Sequence, residues 1–158
     1  MTNKERGMMN FVNGTCTAFD IQYSAFGIHY SKDYIMGKKK EYDLENRLVD
    51  FAVMILDLSE KLPKTYAGNH LSKQIVRSGT APALHYGEAQ GAESKADFVH
   101  KMRIALKELR ETFVCLKILY KKQYLSKEAV KKAANENNEL IAIFVTSIET
   151  TKQNMNKK

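Results

Sequence analysis

The stretch that decides the fold runs from residue 74 to residue 119 and reads QIVRSGTAPALHYGEAQGAESKADFVHKMRIALKELRETFVCLKIL. In its second half, side chains that suit a protein interior recur alternately four and three positions apart, at Phe98, Met102, Ala105, Leu109, Thr112, Leu116 and Leu119. This spacing places them along one side of an α-helix. A helix with such a side packs against another helix, so the stretch predicts a helical bundle rather than a catalytic cleft.

The composition is that of an ordinary globular protein. The chain has 158 residues, enough for one domain with a buried core. Hydrophobic residues make up 44% and charged residues 27%. The two prolines and eight glycines are few, as expected for a mostly helical chain. The net charge of +7 permits binding to nucleic acid or to an acidic surface without requiring it.

The cysteines and the apolar segments indicate the cellular location of the protein. Cys16 and Cys115 are the only cysteines and belong to no ligand cluster, which fits a reducing compartment. No run of eighteen apolar residues exists, so no transmembrane helix is predicted. Polar residues interrupt the apolar segment over residues 8–18, which does not fit a signal peptide. We expect a cytoplasmic protein with no membrane partner.

Residues 1–40 differ from the rest of the chain. They hold four of the eight glycines and no leucine. We expect them to form a disordered extension, and Met36 to be a plausible true start, so that a chain beginning there folds and assembles like the full one. The four-helix bundle is expected over residues 41–153, followed by a polar tail over residues 154–158.

The first two helices have recognisable ends. Helix one is predicted over residues 42–62 and ends before Pro63, which cannot continue a helix. Helix two is predicted to begin near Asn69, a good N-cap residue, and to end at Gly91. Pro82 lies inside it and should kink or break the helix in the preceding turn.

The starts of helices three and four are marked by clear N-cap residues. Ser94 is predicted to be the N-cap of helix three, with Asp97 at the third helical position, close to a capping box. This helix is predicted to extend to about Gln123. Ser126 is the predicted N-cap of helix four, and Glu128 suits its first turn. Because the linkers are short, we expect an all-α fold, an antiparallel up-and-down four-helix bundle.

A basic stripe follows the solvent side of helix three. Helix three carries eight Lys and Arg residues against three acidic ones, a local charge of +5. Five of these cations share the outward side, and we call them the basic stripe: Arg103, Lys107, Arg110, Lys117 and Lys121. Such a stripe suits a phosphate backbone, because each neutralised phosphate releases counterions. The alternative is a merely solvated face, since Glu108 and Glu111 are available to pair with neighbours.

Catalytic and metal-binding patterns are weak or absent in the sequence. No nucleophile elbow, phosphate-binding loop or dinucleotide-binding fingerprint occurs, and residues 77–80 lie inside a predicted helix. Asp97 and His100 resemble one carboxylate–His unit of a bundle di-iron site, but only Glu88 and Glu93 are nearby and no second unit exists. The sequence therefore predicts no enzyme, no metal site and no cofactor.

The segment RSGTAPALHYGEAQGAESKADFVHKMRIALKELRET, residues 77–112, resembles the signature of the bacterial 23S rRNA intervening-sequence proteins. That pattern looks like RSG-T-S-(I/V)-x-x-N-x-x-E-A-x-x-A-x-S-K-x-D-F-(I/V)-x-K. The matching positions are Arg77, Ser78, Gly79, Thr80, Glu88, Ala89, Ala92, Ser94, Lys95, Asp97, Phe98, Val99 and Lys101. The resemblance covers about residues 41–153. This chain departs from it with Pro82 in a small-and-branched pair, His85 in place of Asn, and Gly87 at a frequently basic position.

The resemblance implies an antiparallel four-helix bundle, commonly a ring-shaped homopentamer, with no known enzymatic activity. Members were first noticed as reading frames inside inserts of large-subunit rRNA genes, which implies association with RNA. A similar fold serves diversity-generating reverse transcriptases as a basic pentameric accessory protein. We therefore expect a non-enzymatic homo-oligomer that binds nucleic acid, RNA favoured. The alternative is a scaffold or accessory module for a protein partner such as a reverse transcriptase.

The signature residues are expected to be mainly structural. We interpret Arg77 as an ion-pair or interface residue in preference to a ligand contact. His85 and Glu88 are placed to form a polar network at a helix junction. The full set of signature positions assigned to structure is Arg77, Ser78, His85, Glu88, Ser94, Asp97 and Phe98.

Overall fold

The computed structural model describes residues 43–157, and these form four α-helices with no strand among them. The helices are α1 (Leu44–Glu60), α2 (Tyr66–Gln90), α3 (Lys95–Lys122) and α4 (Lys127–Asn156). Each packs against its neighbours in the chain, and α1 closes the bundle against α4, so that α1 and α3 are diagonal. The predicted antiparallel up-and-down four-helix bundle is confirmed. The predicted extension over residues 1–40 lies outside the described residues.

The beginning of α2 corrects the sequence interpretation. The N-cap is Thr65 rather than Asn69, because Thr65 has extended backbone and its side-chain oxygen accepts from the backbone N–H of Gly68 at 3.1 Å. The sequence predicted a kink or a break at Pro82. A break is wrong, since α2 is continuous from end to end, whereas the kink stays a prediction. A proline removes one backbone hydrogen bond, and the burial of Pro82 within the bundle offsets that loss. The predicted end of α2 at Gly91 is confirmed.

The predicted starts of α3 and α4 are confirmed. Ser94 accepts a hydrogen bond from the backbone N–H of Asp97 at 3.1 Å, and Ser126 caps α4 in the same way. Each cap satisfies one backbone donor that the helix leaves without a partner. Gln123 ends α3 with φ of 57°, the left-handed conformation. Helix α4 continues to Asn156, three residues into the segment predicted to be a polar tail.

The predicted apolar side of α3 lies in the core. All seven of its residues are buried, and they pack with residues from the other three helices. Large side chains that are fully enclosed include Phe51 from α1, Tyr86 from α2 and Phe144 from α4. The rings of Tyr86 and Phe144 meet edge to face, with centroids 6.1 Å apart.

Helices α1 and α2 approach each other closely. A Cβ atom added to Gly79 would lie 2.6 Å from Cγ2 of Ile55, which is closer than real atoms pack. The connection between the two helices is equally tight, because a Cβ on Gly68 would lie 2.0 Å from the carbonyl oxygen of Pro63. Glycine at these two positions therefore lets the second helix fold back on the first.

Polar contacts tie α4 to its two neighbours. Arg47 of α1 holds Glu136 with two hydrogen bonds of 2.6 and 3.0 Å, and also reaches Glu139 at 2.5 Å. On the other side, the fully buried Asn137 donates from Nδ2 to the carbonyl oxygen of Leu109 at 3.0 Å. This bond satisfies a buried amide donor of Asn137.

Candidate nucleic-acid interface

The signature residues lie at the contact between α2 and α3. Oγ of Ser78 lies 2.9 Å from Oγ1 of Thr112, which is also 3.0 Å from the carbonyl oxygen of Glu108. Ser78 and Thr112 are both fully buried. Phe98, another signature residue, is buried in the core. The two hydroxyls satisfy each other inside the bundle and do not face a ligand.

Arg77 lies at the edge of the same contact. Its NH2 is 2.5 Å from Oε1 of Glu111, and its NH1 is 3.8 Å from Oε2 of Glu108. The amide of Gln74 also donates to Glu111. Glu108 and Glu111 therefore both turn towards Arg77 of α2, and Glu111 is also hydrogen-bonded there.

A second cluster joins the last turns of α2 to the second turn of α3. Nζ of Lys101 donates to Oε2 of Glu88 at 2.9 Å, and Nδ1 of His85 lies 3.5 Å from the same oxygen. The hydrogen bond from Lys101, with a smaller contribution from His85, lowers the pKa of Glu88 below its usual 4.5. The same bond raises the pKa of Lys101. The structure thus adds Lys101 to the network that the sequence suggested for His85 and Glu88.

All five residues of the basic stripe are exposed, and they line the side of α3 that faces α4. Two open grooves lie along this seam. The first, which we call the N-terminal groove, has a volume of about 400 Å³. Its charged lining is Arg103, Lys107 and Arg110 from α3, with Glu149 and Lys152 from α4.

The C-terminal groove continues the seam along the second half of α3, with a volume of about 510 Å³. Its cations are Lys117 and Lys121 from α3 and Lys131 from α4. Two aromatic residues and two amides also line it, namely Phe113, Tyr120, Asn135 and Asn138. We call the two grooves together the α3–α4 basic groove.

The stripe is neither neutralised nor continuous. Within residues 43–157, none of its five cations forms an ion pair. Glu108 and Glu111, the carboxylates that were available to neutralise it, are held by Arg77 instead. Val114, which is 54% exposed, lies on the same outward side and separates the cations of the two grooves. The stripe is therefore two clusters of positive charge with an apolar interruption.

Cations in the C-terminal groove lie over aromatic rings. Nζ of Lys117 is 4.5 Å from the ring centroid of Phe113. The Tyr120 ring has Nζ of Lys127 at 5.9 Å and Nζ of Lys131 at 5.8 Å. These distances fall within the range of cation–π attraction. Both rings are half-buried, and each has at least one positive charge beside it.

The comparisons with known proteins agree with the fold and the signature. The family model described as 23S rRNA-intervening sequence protein matches residues 40–146. The chain belongs to this family. A solved structure of a protein of unknown function from the S23 ribosomal protein family of Bacteroides thetaiotaomicron is 34% identical, with a TM-score of 0.63. That match covers 66% of this chain and 97% of the other. No curated protein matches.

The sequence interpretation missed the residues that α4 contributes to the α3–α4 basic groove. Lys131, Lys152, Asn135 and Asn138 come from α4, and Tyr120 lies beside the stripe on α3. An available signal was the antiparallel pairing of α3 and α4, which places the lysine-rich first turns of α4 beside the end of α3. What the sequence did not give is which side of α3 the fourth helix covers.

Other features that could indicate a function are a metal site, a membrane-spanning helix and a reactive thiol. Within residues 43–157, no group of three or more His, Cys, Asp or Glu residues is placed to hold a metal ion. None of the four helices is both long and apolar enough to cross a bilayer. Cys115 is buried as a free thiol, and this burial raises its pKa, so it is held in the unreactive protonated form.

Proposed function

We propose that this protein is a non-enzymatic homo-oligomer that binds nucleic acid, RNA favoured, through the α3–α4 basic groove. One observation carries the proposal. The N-terminal groove has four cations and the C-terminal groove three, against the single carboxylate of Glu149. Such an excess of positive charge along one seam suits a polyanion, because it displaces the counterions that a phosphate backbone gathers.

The shape of the seam favours a polymer over a small molecule. Small ligands are usually enclosed in a pocket that buries most of their surface. Here both grooves are open and follow one another along a helix. From Arg103 to Lys121 the helix rises about 27 Å, at about 1.5 Å per residue. Several consecutive phosphates of a nucleic acid would meet cations over that length.

Self-association is the second part of the proposal. Val49, Val53 and Leu56 follow one another along the outer side of α1 and are 46%, 50% and 38% exposed. Apolar side chains that form such a row mark a surface for association. None of these three residues lines either groove, so a contact through them does not use the groove residues. The subunit number that we propose is five, which the family resemblance implies, and a closed ring would repeat the groove around its axis.

A protein-binding scaffold is the second candidate function. The observation that favours it is the exposure of Val114 and Ile118, which are 54% and 44% exposed on the outward side of α3. A partner such as a reverse transcriptase would bury these residues, whereas contact with apolar side chains does not stabilise a bound phosphate backbone. For either function we place the protein in the cytoplasm, in keeping with the free thiol of Cys115.

The test is a salt titration of binding to fluorescent RNA, with wild type beside a variant in which Arg103, Arg110 and Lys117 are all changed to Gln. The logarithm of affinity should fall with the logarithm of salt, by about 0.7 per phosphate for a single strand and about 0.9 for a duplex. The variant should bind more weakly, with a flatter slope and little regard to sequence. Its folding should be nearly intact, since these positions are exposed.

The matched control removes the same charge elsewhere, by changing Lys61, Lys64 and Lys73 to Gln. These lysines are exposed and none of them lines either groove. Light scattering on each protein reports the oligomer size in the same samples. Equal affinity and equal slope in the groove variant, the control and the wild type would contradict RNA binding by the groove and favour the scaffold.

A further inference from the structure

The C-terminal groove has a property that the N-terminal groove lacks, namely aromatic rings. Phe113 and Tyr120 are seven residues apart on α3 and so lie on nearly the same side, about 10 Å apart along the axis. Both line the groove and both are half-buried. No aromatic residue lines the N-terminal groove. The two halves of the seam therefore offer different surfaces to the same ligand.

The positions of the lysines show that the ring faces are accessible from the groove. Lys117 lies over Phe113, and Lys131 lies over Tyr120 from the opposite wall. A flexible lysine over a ring occupies the place that a flat aromatic ligand would take. When such a ligand stacks on the ring, the displaced ammonium group remains close enough to pair with an attached phosphate.

Amide side chains complete this half of the groove. Asn135 and Asn138 lie on the α4 wall and are exposed. Each offers one acceptor and two donors, which match the edges of nucleobases. Rings for stacking, cations for phosphate and amides for base edges are together the combination used to hold unpaired nucleotides.

We propose that the α3–α4 basic groove binds single-stranded RNA, with unpaired bases stacked on Phe113 and Tyr120 and the adjoining backbone held along the N-terminal groove. This inference rests on the proposed function and narrows its substrate. A duplex meets only half of the site, because its bases are stacked on one another and their faces are not available. The cations would hold a duplex by its phosphates, but the rings would contribute nothing.

The test compares one RNA in two forms, a 20-nucleotide strand without self-complementarity and the same strand annealed to its complement. The protein variant carries Phe113→Leu and Tyr120→Leu, which keep apolar bulk but remove the rings. We expect the wild type to prefer the single strand. The variant should lose about 10-fold or more in affinity for the single strand, since stacking contributes substantially for each base. Its salt slope should not change, because its cations remain.

Two further measurements keep the result interpretable. Tyr120→Phe retains the ring and should bind like the wild type. Ultraviolet cross-linking of wild type to a 4-thiouridine strand, mapped by mass spectrometry, should label the peptide that contains residues 113–120, and it does not depend on the folding of any variant. Equal binding of strand and duplex, with no loss in the leucine variant and no such label, overturns the inference.

That failure is distinct from failure of the proposed function. If the groove binds phosphate without stacking, the variant with Gln at 103, 110 and 117 still loses affinity and salt slope, while the leucine variant does not. If the wild type binds neither form of RNA, the proposed function and this inference are both overturned.

Discussion

Oγ of Ser78 lies 2.9 Å from Oγ1 of Thr112, between two helices and fully out of contact with solvent. Ser78 belongs to the family signature, and in this structure it joins α2 to α3. Gly79, the next residue, faces Ile55 of α1. The signature therefore describes how the second helix fits between its two neighbours, and the charged groove lies on another side of the bundle.

The first prediction concerns this hydroxyl pair. Ser78→Ala should lower the free energy of unfolding by about 1 kcal/mol, the usual net worth of a hydrogen bond. Thr112→Val should cost more, because the Thr112 hydroxyl also meets the carbonyl of Glu108. The double variant should lose less than the sum of the two, since either single change already removes the bond between the two hydroxyls. Urea unfolding at a fixed protein concentration measures all three, and strict additivity would show that the pair is not coupled.

The second prediction compares two glycines of α2. Gly79→Ala places a methyl group 2.6 Å from Cγ2 of Ile55, whereas a methyl group at Gly87 meets nothing within 4 Å. Both changes improve helix propensity equally, so their difference isolates the crowding. The Gly79→Ala protein should be less stable than the Gly87→Ala protein by about 1–3 kcal/mol, the usual cost of overpacking. Urea midpoints provide the measurement, and equal stability would mean that α1 moves aside freely.

These elements show what the sequence could and could not predict. The inner side of α3 and the caps at Ser94 and Ser126 were readable because they depend on local spacing and local hydrogen bonds. The continuity of α2 through Pro82 was not, because the bundle that surrounds the ring stabilises a continuous helix. The α4 wall of the groove, including Lys131, was also not readable, since it depends on which way the helices turn around the core.

The third prediction concerns the pH dependence of the Glu88–Lys101 pair. The hydrogen bond from Lys101 lowers the pKa of Glu88 in the folded protein below the usual 4.5. A carboxyl group with a lowered folded pKa stabilises the fold at higher pH, and this contribution is lost as the pH falls from about its ordinary value through the lowered one. Glu88→Gln should therefore be less stable than wild type at pH 7, and the difference should shrink in acid.

A control separates this pair from the general effect of acid. Asp57 is exposed and forms no ion pair within residues 43–157, so the difference between Asp57→Asn and wild type should change less with pH. The effect at Glu88 should be modest, because the pair is open to water and is screened by salt. Urea midpoints from pH 3 to pH 7, taken at low and at high salt, measure it. If the difference in stability between Glu88→Gln and wild type does not change with pH, the Glu88–Lys101 pair does not contribute to stability.

The last prediction concerns the outer side of α1. If copies of the chain associate through Val49, Val53 and Leu56, a charge in the middle of that row should prevent association, because burying an unpaired charge is costly. Val53→Lys should therefore give a particle of lower mass by light scattering. Its helical circular dichroism should be unchanged, since Val53 is 50% exposed in the single bundle.

Leu84→Lys is the matched control, an equally large change at a residue of α2 that is 68% exposed and outside the row. A Val53→Lys protein with the same mass as wild type would show that α1 is not the contact between copies. A loss of mass in both variants would extend the contact onto α2. If the mass falls only in Val53→Lys, RNA affinity in the same samples should also fall at low protein concentration, because a single bundle presents one groove where an assembly presents several.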